Sequence, residues 1–214
     1  MYPAPLLSSL ASITGSIILL KLYFSDRRVF RLLFMLQLID MLVGQFLEFY
    51  ASLNGWTTAL YRVYYFSSPL SAALLALGVT ALLGYKRLLK VFTVYTLIMA
   101  IPLLYGVASA GIDVDALDKL GPFVGGLAMP DNVRILSPPI TIPSGIIALV
   151  LAVIGYRRYS GLEYLGLVLG NLVFLVAGAL LRAGHGELFL WLELVATVIL
   201  AYSFIKAEAR PGSI

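Results

Sequence analysis

The sequence predicts an all-α integral membrane protein built as an up-down bundle of seven transmembrane helices. Hydrophobic residues make up 61% of the 214 residues and charged residues only 12%, whereas soluble domains usually carry about 25% charged residues. Seven apolar segments are long enough to cross a bilayer core, which takes about 20 residues per helix. Most connections between them are short, so consecutive helices should pack side by side in alternating directions.

The predicted helices lie within a single domain that covers 1–214. Their bounds are about 5–24, 30–51, 61–84, 88–109, 139–156, 162–183 and 187–206. The first segment does not resemble a cleaved signal peptide, because no basic residue precedes it and no small-residue cleavage site follows it. The longest connection, 110–138, contains the run GPFVGGLAMP, in which Gly and Pro break any helix. We expect this extracytoplasmic loop to cap the outer face of the bundle.

Basic residues concentrate at one end of the predicted bundle. That end holds eleven of the fifteen lysines and arginines: Lys21, Arg27, Arg28, Arg31, Lys86, Arg87, Lys90, Arg157, Arg158, Lys206 and Arg210. Because cytoplasmic loops are enriched in Lys and Arg, we predict a multi-pass protein of the cell membrane with its N-terminus outside and its C-terminus cytoplasmic. Polar positions in 25–75 also coincide with those in 156–206, which leaves a weak 3+1+3 organisation open.

Polar residues interrupt the apolar run LQLIDMLVGQFLEFY at 36–50 in the second helix. Gln37, Asp40, Gly44 and Glu48 follow one another at spacings of three and four residues, which places them along one stripe of a helix. Asp40 falls near mid-span, and Glu48 lies toward the outer end. An ionisable group at the centre of a membrane helix costs about 3 kcal/mol, so it normally faces the bundle interior or a water-filled cavity.

Further polar residues lie in the third, sixth and seventh helices. Asn171 falls near mid-depth in the sixth helix, whose outer boundary is Arg182; Arg62 begins the third helix, and Glu193 lies about two turns inside the seventh. Because most of these side chains share the outer half of the bundle with Glu48, we predict a polar pocket that opens to the outside. Two structural ion pairs, Glu48 with Arg62 and Glu193 with Arg182, are the alternative to ligand binding.

Asp40 is the first candidate for a ligand-binding or proton-carrying residue, followed by Gln37, Glu48 and Asn171. If both arginines pair with glutamates, no cation within the membrane remains for Asp40. Its carboxyl group would then either hold a proton or bind a cation or an amine. A protonated Asp40 that bonds Gln37 or Asn171 merely to hold helices together is an equally open interpretation.

The sequence therefore favours a protein that binds or transports a small polar or cationic solute, with proton coupling through Asp40. The alternative is a non-transporting sensor, or a structural subunit of a larger membrane complex. Besides the lipid bilayer, the partners would be a solute or ion, and a second protein or further copies of the same chain. The net charge of +4 does not indicate nucleic-acid binding, because membrane topology accounts for most of it.

Enzymatic and cofactor functions have no support in the sequence. The chain has no Cys, and His185 is its one histidine, so thiolate metal sites and a bis-histidine haem site are excluded within one chain. No HExxH, GxSxG or Gly-rich phosphate-binding motif occurs. We expect no enzyme activity, no metal and no cofactor. A retinal protein would need a lysine near the middle of the seventh helix, whereas Lys206 lies at its end. The absence of Cys and the small number of Asn and Gln residues favour a thermophilic prokaryotic source.

Overall fold

The computed structural model describes residues 2–208, which contain helices and no strand. Seven helices in this part of the chain are long and apolar enough to cross a membrane. They are α1 Pro3–Asp26, α2 Val29–Asn54, α3 Thr58–Leu82, α4 Lys86–Ser109, α7 Pro138–Tyr159, α8 Leu162–Arg182 and α9 Gly186–Lys206. Each one coincides with a predicted segment to within three residues at either end. The prediction of an all-α chain with seven such helices is therefore confirmed, and a lipid environment follows from it.

Local sequence explains where several of these helices begin and end. Thr57 caps α3, since its Oγ1 accepts a hydrogen bond from the backbone N–H of Leu60 at 3.3 Å. Proline occupies the first turn of both α1 and α7, where its missing N–H has no intrahelical partner to lose. Arg27 after α1 and Ser160 after α7 adopt left-handed backbone conformations, with φ of 56° and 52°, that end each helix sharply.

Six of the seven helices form a closed ring. Around the ring, α1 contacts α2, α2 contacts α3, α3 contacts α7, α7 contacts α8, α8 contacts α9, and α9 returns to α1. The remaining span, α4, packs mainly against α3 and is the least buried of the seven. We call the end with the connection between α4 and α7 the loop end, and the end with the connections after α1, α3 and α7 the basic end.

The loop-end connection consists of α5 Val114–Leu120, a 3₁₀ turn Gly121–Phe123 and α6 Asp131–Arg134. It lies against the ends of several spans. Trp56 Nε1 donates to the carbonyl oxygen of Gly121 at 2.7 Å, and the Tyr61 hydroxyl donates to that of Gly125 at 3.0 Å. Phe123 packs edge-on against Tyr2 at the start of α1, with ring centroids 4.9 Å apart. The connection thus covers this end of the ring, as the sequence suggested.

Two large apolar clusters fill the ring at different depths. The cluster nearer the basic end contains Leu19, Phe34 and Leu200 among others. Within it, Phe34 of α2 stacks on Phe204 of α9, with centroids 4.1 Å apart and ring planes at 10°. The cluster at the loop end joins residues of α2 and α3, such as Leu47 and Tyr61, and Trp56 of the turn between them to the loop. The layer between the two clusters holds the polar side chains described next.

Candidate functional site

Gln45 is the centre of a buried hydrogen-bond network that joins three helices. Its side-chain oxygen accepts from the Ser12 hydroxyl of α1 at 2.8 Å. Its amide nitrogen donates to Thr197 Oγ1 of α9 at 2.7 Å and lies 3.5 Å from Glu193 Oε1. Ser12, Gln45 and Thr197 are all completely buried. The amide therefore holds α1, α2 and α9 together at one depth.

Glu48 lies one helical turn from Gln45, toward the loop end, and is 1% exposed. Its Oε1 accepts a hydrogen bond from the Tyr64 hydroxyl of α3 at 2.8 Å. Its carboxyl group also lies within hydrogen-bonding reach of the Glu193 carboxyl group of α9. The Oε2 atoms of both glutamates are shielded from solvent, and neither has a hydrogen-bond donor. The residue Glu193 is partly exposed, but its unpartnered oxygen is not.

The two ion pairs predicted from the sequence do not form. Asp26 forms an ion pair with Arg31, and Asp131 forms one with Arg134, both near helix ends or loops. Arg62 instead donates from Nη2 to the carbonyl oxygen of Ala110 at 2.9 Å. That carbonyl follows the end of α4, where backbone oxygens lack intrahelical partners. Arg182 is exposed at the end of α8. Both guanidinium groups thus lie near the loop end and not beside the glutamates, where burying them would cost free energy.

The other predicted site residues lie apart from the glutamate pair. Ser67 Oγ donates to the backbone oxygen of Asp40 at 3.1 Å, and Asp40 Oδ2 is buried without a partner. Gln37 Nε2 lies 3.7 Å from Met41 Sδ, and its Oε1 is likewise unpartnered. Asn171 Nδ2 donates to a backbone oxygen of α7 at 3.4 Å. Because α2 and α8 are not neighbours in the ring, Asp40 and Asn171 do not form the hydrogen bond considered from the sequence.

The polar layer is closed in this conformation. One cavity at the loop end, of about 240 Å³, is lined by residues at the starts of α1 and α9, and a shallower depression surrounds 184–188 and Trp191. Glu187 lines both, whereas Asp40, Glu48 and Asn171 line neither. The pocket open to the outside stays a prediction: in this conformation Glu48 is 1% exposed and bonded to Tyr64 of α3.

Sequence reasoning missed four members of the network: Ser12, Gln45, Tyr64 and Thr197. Gln45 lies beside the polar stripe of the second helix, three residues from Glu48. This depth in the membrane was a signal that it belongs to the same polar layer. The other three are hydroxyl side chains whose partners lie on different helices, and spacing within one helix does not reveal such neighbours. Chemically, the site offers two carboxyl groups, an amide and three hydroxyls. It can bind a proton or a small cation. Residues 2–208 contain no cluster of three or more His, Cys, Asp or Glu side chains that could hold a metal ion.

The geometry of the glutamate pair, and not a relationship to other proteins, is thus the basis for assigning a function. Comparison of the chain with protein-family models, with curated proteins and with solved structures gives no match.

Proposed function

We propose that this chain carries protons across the membrane, coupled to the movement of a small polar or cationic solute, and that Glu48 and Glu193 together bind the transported proton. One observation carries the proposal. Two buried carboxyl groups meet where α2 and α9 approach each other beside α1, and each has an oxygen without a donor. The proton-carrying role that the sequence suggested for Asp40 is thereby transferred to the glutamate pair.

The donors around the pair are already engaged. The Ser12 hydroxyl donates to Gln45, the Gln45 amide donates to Thr197 and points to Glu193, and the Thr197 hydroxyl donates to the backbone oxygen of Glu193 at 2.8 Å. The Tyr64 hydroxyl donates to Glu48. Two ionised carboxylates in contact would repel each other, whereas one shared proton makes a hydrogen bond between them. A small cation between the carboxylates would neutralise them in the same way.

A proton bound at this site can reach either side of the membrane only after a conformational change, because apolar residues separate the site from both ends of the bundle. Phe34 and Phe204 stack on the basic-end side, about 16 Å from Gln45 along α2 at 1.5 Å per residue. The loop and the aromatic residues of α3 cover the other side. Gln37 lies between these two levels with an unpartnered oxygen, so it is the next polar group toward the basic end. Alternating exposure of a mid-membrane site is the mechanism of many transporters.

The ring order supports two halves of three helices, α1–α3 and α7–α9, joined by α4. Each half contributes three consecutive members of the ring. The halves meet at two equivalent junctions, where the third helix of one half contacts the first helix of the other: α3 with α7, and α9 with α1. In each half, the connection after the first helix contains a residue with a positive φ, Arg27 or Ser160. The connection after the second helix contains a glycine with a positive φ, Gly55 or Gly184. We include in the proposal that the basic end is cytoplasmic, as the distribution of Lys and Arg favours, and that the membrane is the cell membrane.

The proposal assigns the chain no enzyme activity, which rests on the absence of catalytic motifs in the sequence. The thermophilic prokaryotic source stays a prediction from composition. The alternative function, a sensor or a structural subunit, differs in one measurable respect, because it predicts no flux of protons or solute through the purified protein.

The test is proton flux in vesicles that contain the purified protein and an enclosed pH-sensitive dye, under an imposed pH gradient and membrane potential. Glu48→Gln should reduce the flux to that of protein-free vesicles, because it removes the proton-binding carboxyl group. Asp40→Asn is the matched control, the same acid-to-amide change on the same helix, and should retain the flux. Wild-type flux that Glu48→Gln leaves intact would overturn the proposal, and absence of flux in the wild type would favour the subunit.

A further inference from the structure

The cavity between the starts of α1 and α9 lies at the loop end, apart from the buried polar layer. It has a volume of about 240 Å³, and its lining consists of Tyr2, Pro3, Ala4, Glu187, Leu190 and Trp191. Glu187 and Trp191 also line the shallower depression beside it, so the two hollows share one carboxyl group and one indole ring. Both residues are exposed, which leaves the cavity open to the surroundings at this end of the bundle.

The lining brings a carboxyl group together with aromatic rings. Glu187 and Trp191 are four residues apart in α9, which places their side chains next to each other on one face of the helix. On the α1 side, Tyr2 supplies a second ring, and its edge-on contact with Phe123 fixes the position of that ring. The lining contains no basic side chain. The cavity therefore joins one negative group to two aromatic groups.

Glu187 has no ion-pair partner within residues 2–208. A glutamate in the first turn of a helix suits the positive end of the helix dipole, but that role accounts for neither the cavity nor the rings around it. The nearest basic residues in the sequence are Arg182 and His185. Arg182 lines neither hollow, and His185 lines only the shallower one. A cation that enters the cavity therefore meets a carboxyl group that no arginine or lysine of the described chain neutralises.

This lining suits an organic cation and not a metal ion. The face of an aromatic ring attracts an ammonium group, and among side chains the attraction is strongest for Trp. The carbon substituents of such an ion would lie against Ala4 and Leu190, which are each 1% exposed, and would lose apolar surface to water there. A metal ion such as Ca²⁺ needs several oxygen ligands, and Glu187 is the one acidic residue in the lining.

We propose that this cavity binds a small organic ammonium ion, with Glu187 as its counter-charge and Trp191 as its cation–π partner. The binding itself depends only on the lining. The identification of this ion as the solute whose movement is coupled to protons rests on the proposed function, and it narrows the solute from a polar or cationic molecule to an amine or a quaternary ammonium compound.

The position of the cavity relates it to the proton site. Leu190 of the lining precedes Glu193 by three residues, so the two side chains lie about one turn apart on the same face of α9. On α1, Ala4 of the lining and Ser12 are two turns apart on one face, and Ser12 donates to Gln45 of the network. Ala4 and Leu190 belong to a third apolar cluster, which separates the cavity from the network. An ammonium ion in the cavity thus lies at the loop-end side of the glutamate pair, along the contact between α1 and α9.

The test is the binding of choline to the full chain in detergent, with the fluorescence of Trp191 as the signal. The sequence has two tryptophans, so Trp56→Phe leaves Trp191 as the one fluorescent indole. Choline should change the emission of Trp191 saturably. The uncharged isostere of choline, in which carbon replaces nitrogen, should bind roughly tenfold more weakly because it lacks the charge.

Glu187→Gln in the Trp56→Phe background should also weaken choline binding roughly tenfold, because it removes the counter-charge. Asp118→Asn is the matched control, since it removes an exposed acid of α5 that lines neither hollow, and it should leave the affinity unchanged. Absence of saturable binding, equal binding of the isostere, or equal losses in Glu187→Gln and Asp118→Asn would overturn the proposal.

Two further measurements separate this inference from the proposed function. Glu48→Gln should bind choline as the wild type does, and loss of binding in that variant would overturn the proposal by placing the ion at the proton site. Proton flux without any choline binding would overturn this inference alone. In dye-loaded vesicles, a choline gradient should drive proton movement several-fold faster with the wild type than with Glu187→Gln. Choline binding without such movement would overturn the identification of the ammonium ion as the transported solute.

Discussion

Glu48 of α2 and Glu193 of α9 place their carboxyl groups together inside a closed ring of six helices, and no basic side chain of residues 2–208 forms an ion pair with either. Each carboxyl group accepts a hydrogen bond from a different donor: Glu48 from the Tyr64 hydroxyl, and Glu193 from the Gln45 side-chain amide. The two carboxyl groups thus have no ion-pair partner within residues 2–208 that would neutralise them. We propose that a proton or a cation from outside neutralises them, which is the basis of the proposed function.

Gln45→Leu should lower the free energy of unfolding in detergent by about 1–3 kcal/mol, because it removes the hydrogen bonds to Ser12 and Thr197 and leaves both groups buried. Ser12→Ala is the milder comparison, since it removes one hydrogen bond and should cost about 0.6 kcal/mol, typical of membrane interiors. Both values come from reversible unfolding in mixed detergent micelles. A Gln45→Leu protein as stable as the wild type would mean that the amide does not hold α1, α2 and α9 together.

Phe204→Leu should increase the passive proton leak through the protein several-fold. The substitution keeps an apolar side chain but removes the stack on Phe34, which stabilises the layer between the glutamate pair and the basic end and is worth about 1 kcal/mol. Phe24→Leu is the control, because Phe24 is 59% exposed on the membrane face of α1. The leak is measured as dye acidification in vesicles. Identical leaks for the two variants would show that the stack does not seal the site.

Gly170→Ala should destabilise the protein by about 1–3 kcal/mol through a clash between α8 and α9. The added Cβ would lie 2.7 Å from both Cγ and Cδ2 of Leu200, and the branch point of a buried leucine cannot move away freely. Gly178→Ala on the same helix meets no atom within 4 Å, so it should be neutral or stabilise by up to about 1 kcal/mol. Thermal unfolding in detergent compares them, and equal melting temperatures would contradict the close packing at Gly170.

The sequence predicted the elements of the fold because membrane-spanning length and apolarity are properties of single segments. All seven spans were found at nearly correct bounds, and the loop end was expected to be covered by 110–138. Gly166 and Gly170, which stand four residues apart in α8, both approach α9 closely, at Ser203 and Leu200. The closed ring and the peripheral position of α4 depend on which non-consecutive helices touch, so hydropathy alone did not reveal them.

The candidate site was predicted in part. Glu48 and Glu193 were identified as polar groups in the outer half, but each was expected to pair with an arginine near the helix ends. The structure pairs the glutamates with each other because Arg62 reaches the carbonyl of Ala110 and Arg182 stays exposed. Asp40 was singled out by its depth and by its place on the polar stripe, and its role stays a prediction. Its Oδ2 is buried without a hydrogen-bond partner where α2 meets α3 at Ser67, a contact that spacing within α2 does not reveal.

The most direct test of the account is infrared difference spectroscopy of the purified protein at neutral pH, which detects the carbonyl stretch of a protonated carboxyl group and its shift in heavy water. The account predicts a band that disappears in the Glu48→Gln, Glu193→Gln double variant and persists in Asp40→Asn. A wild-type spectrum without a protonated carboxyl band in sodium-free and potassium-free buffer would contradict the claim that the two glutamates share a proton. A band lost only with Asp40 would contradict it equally.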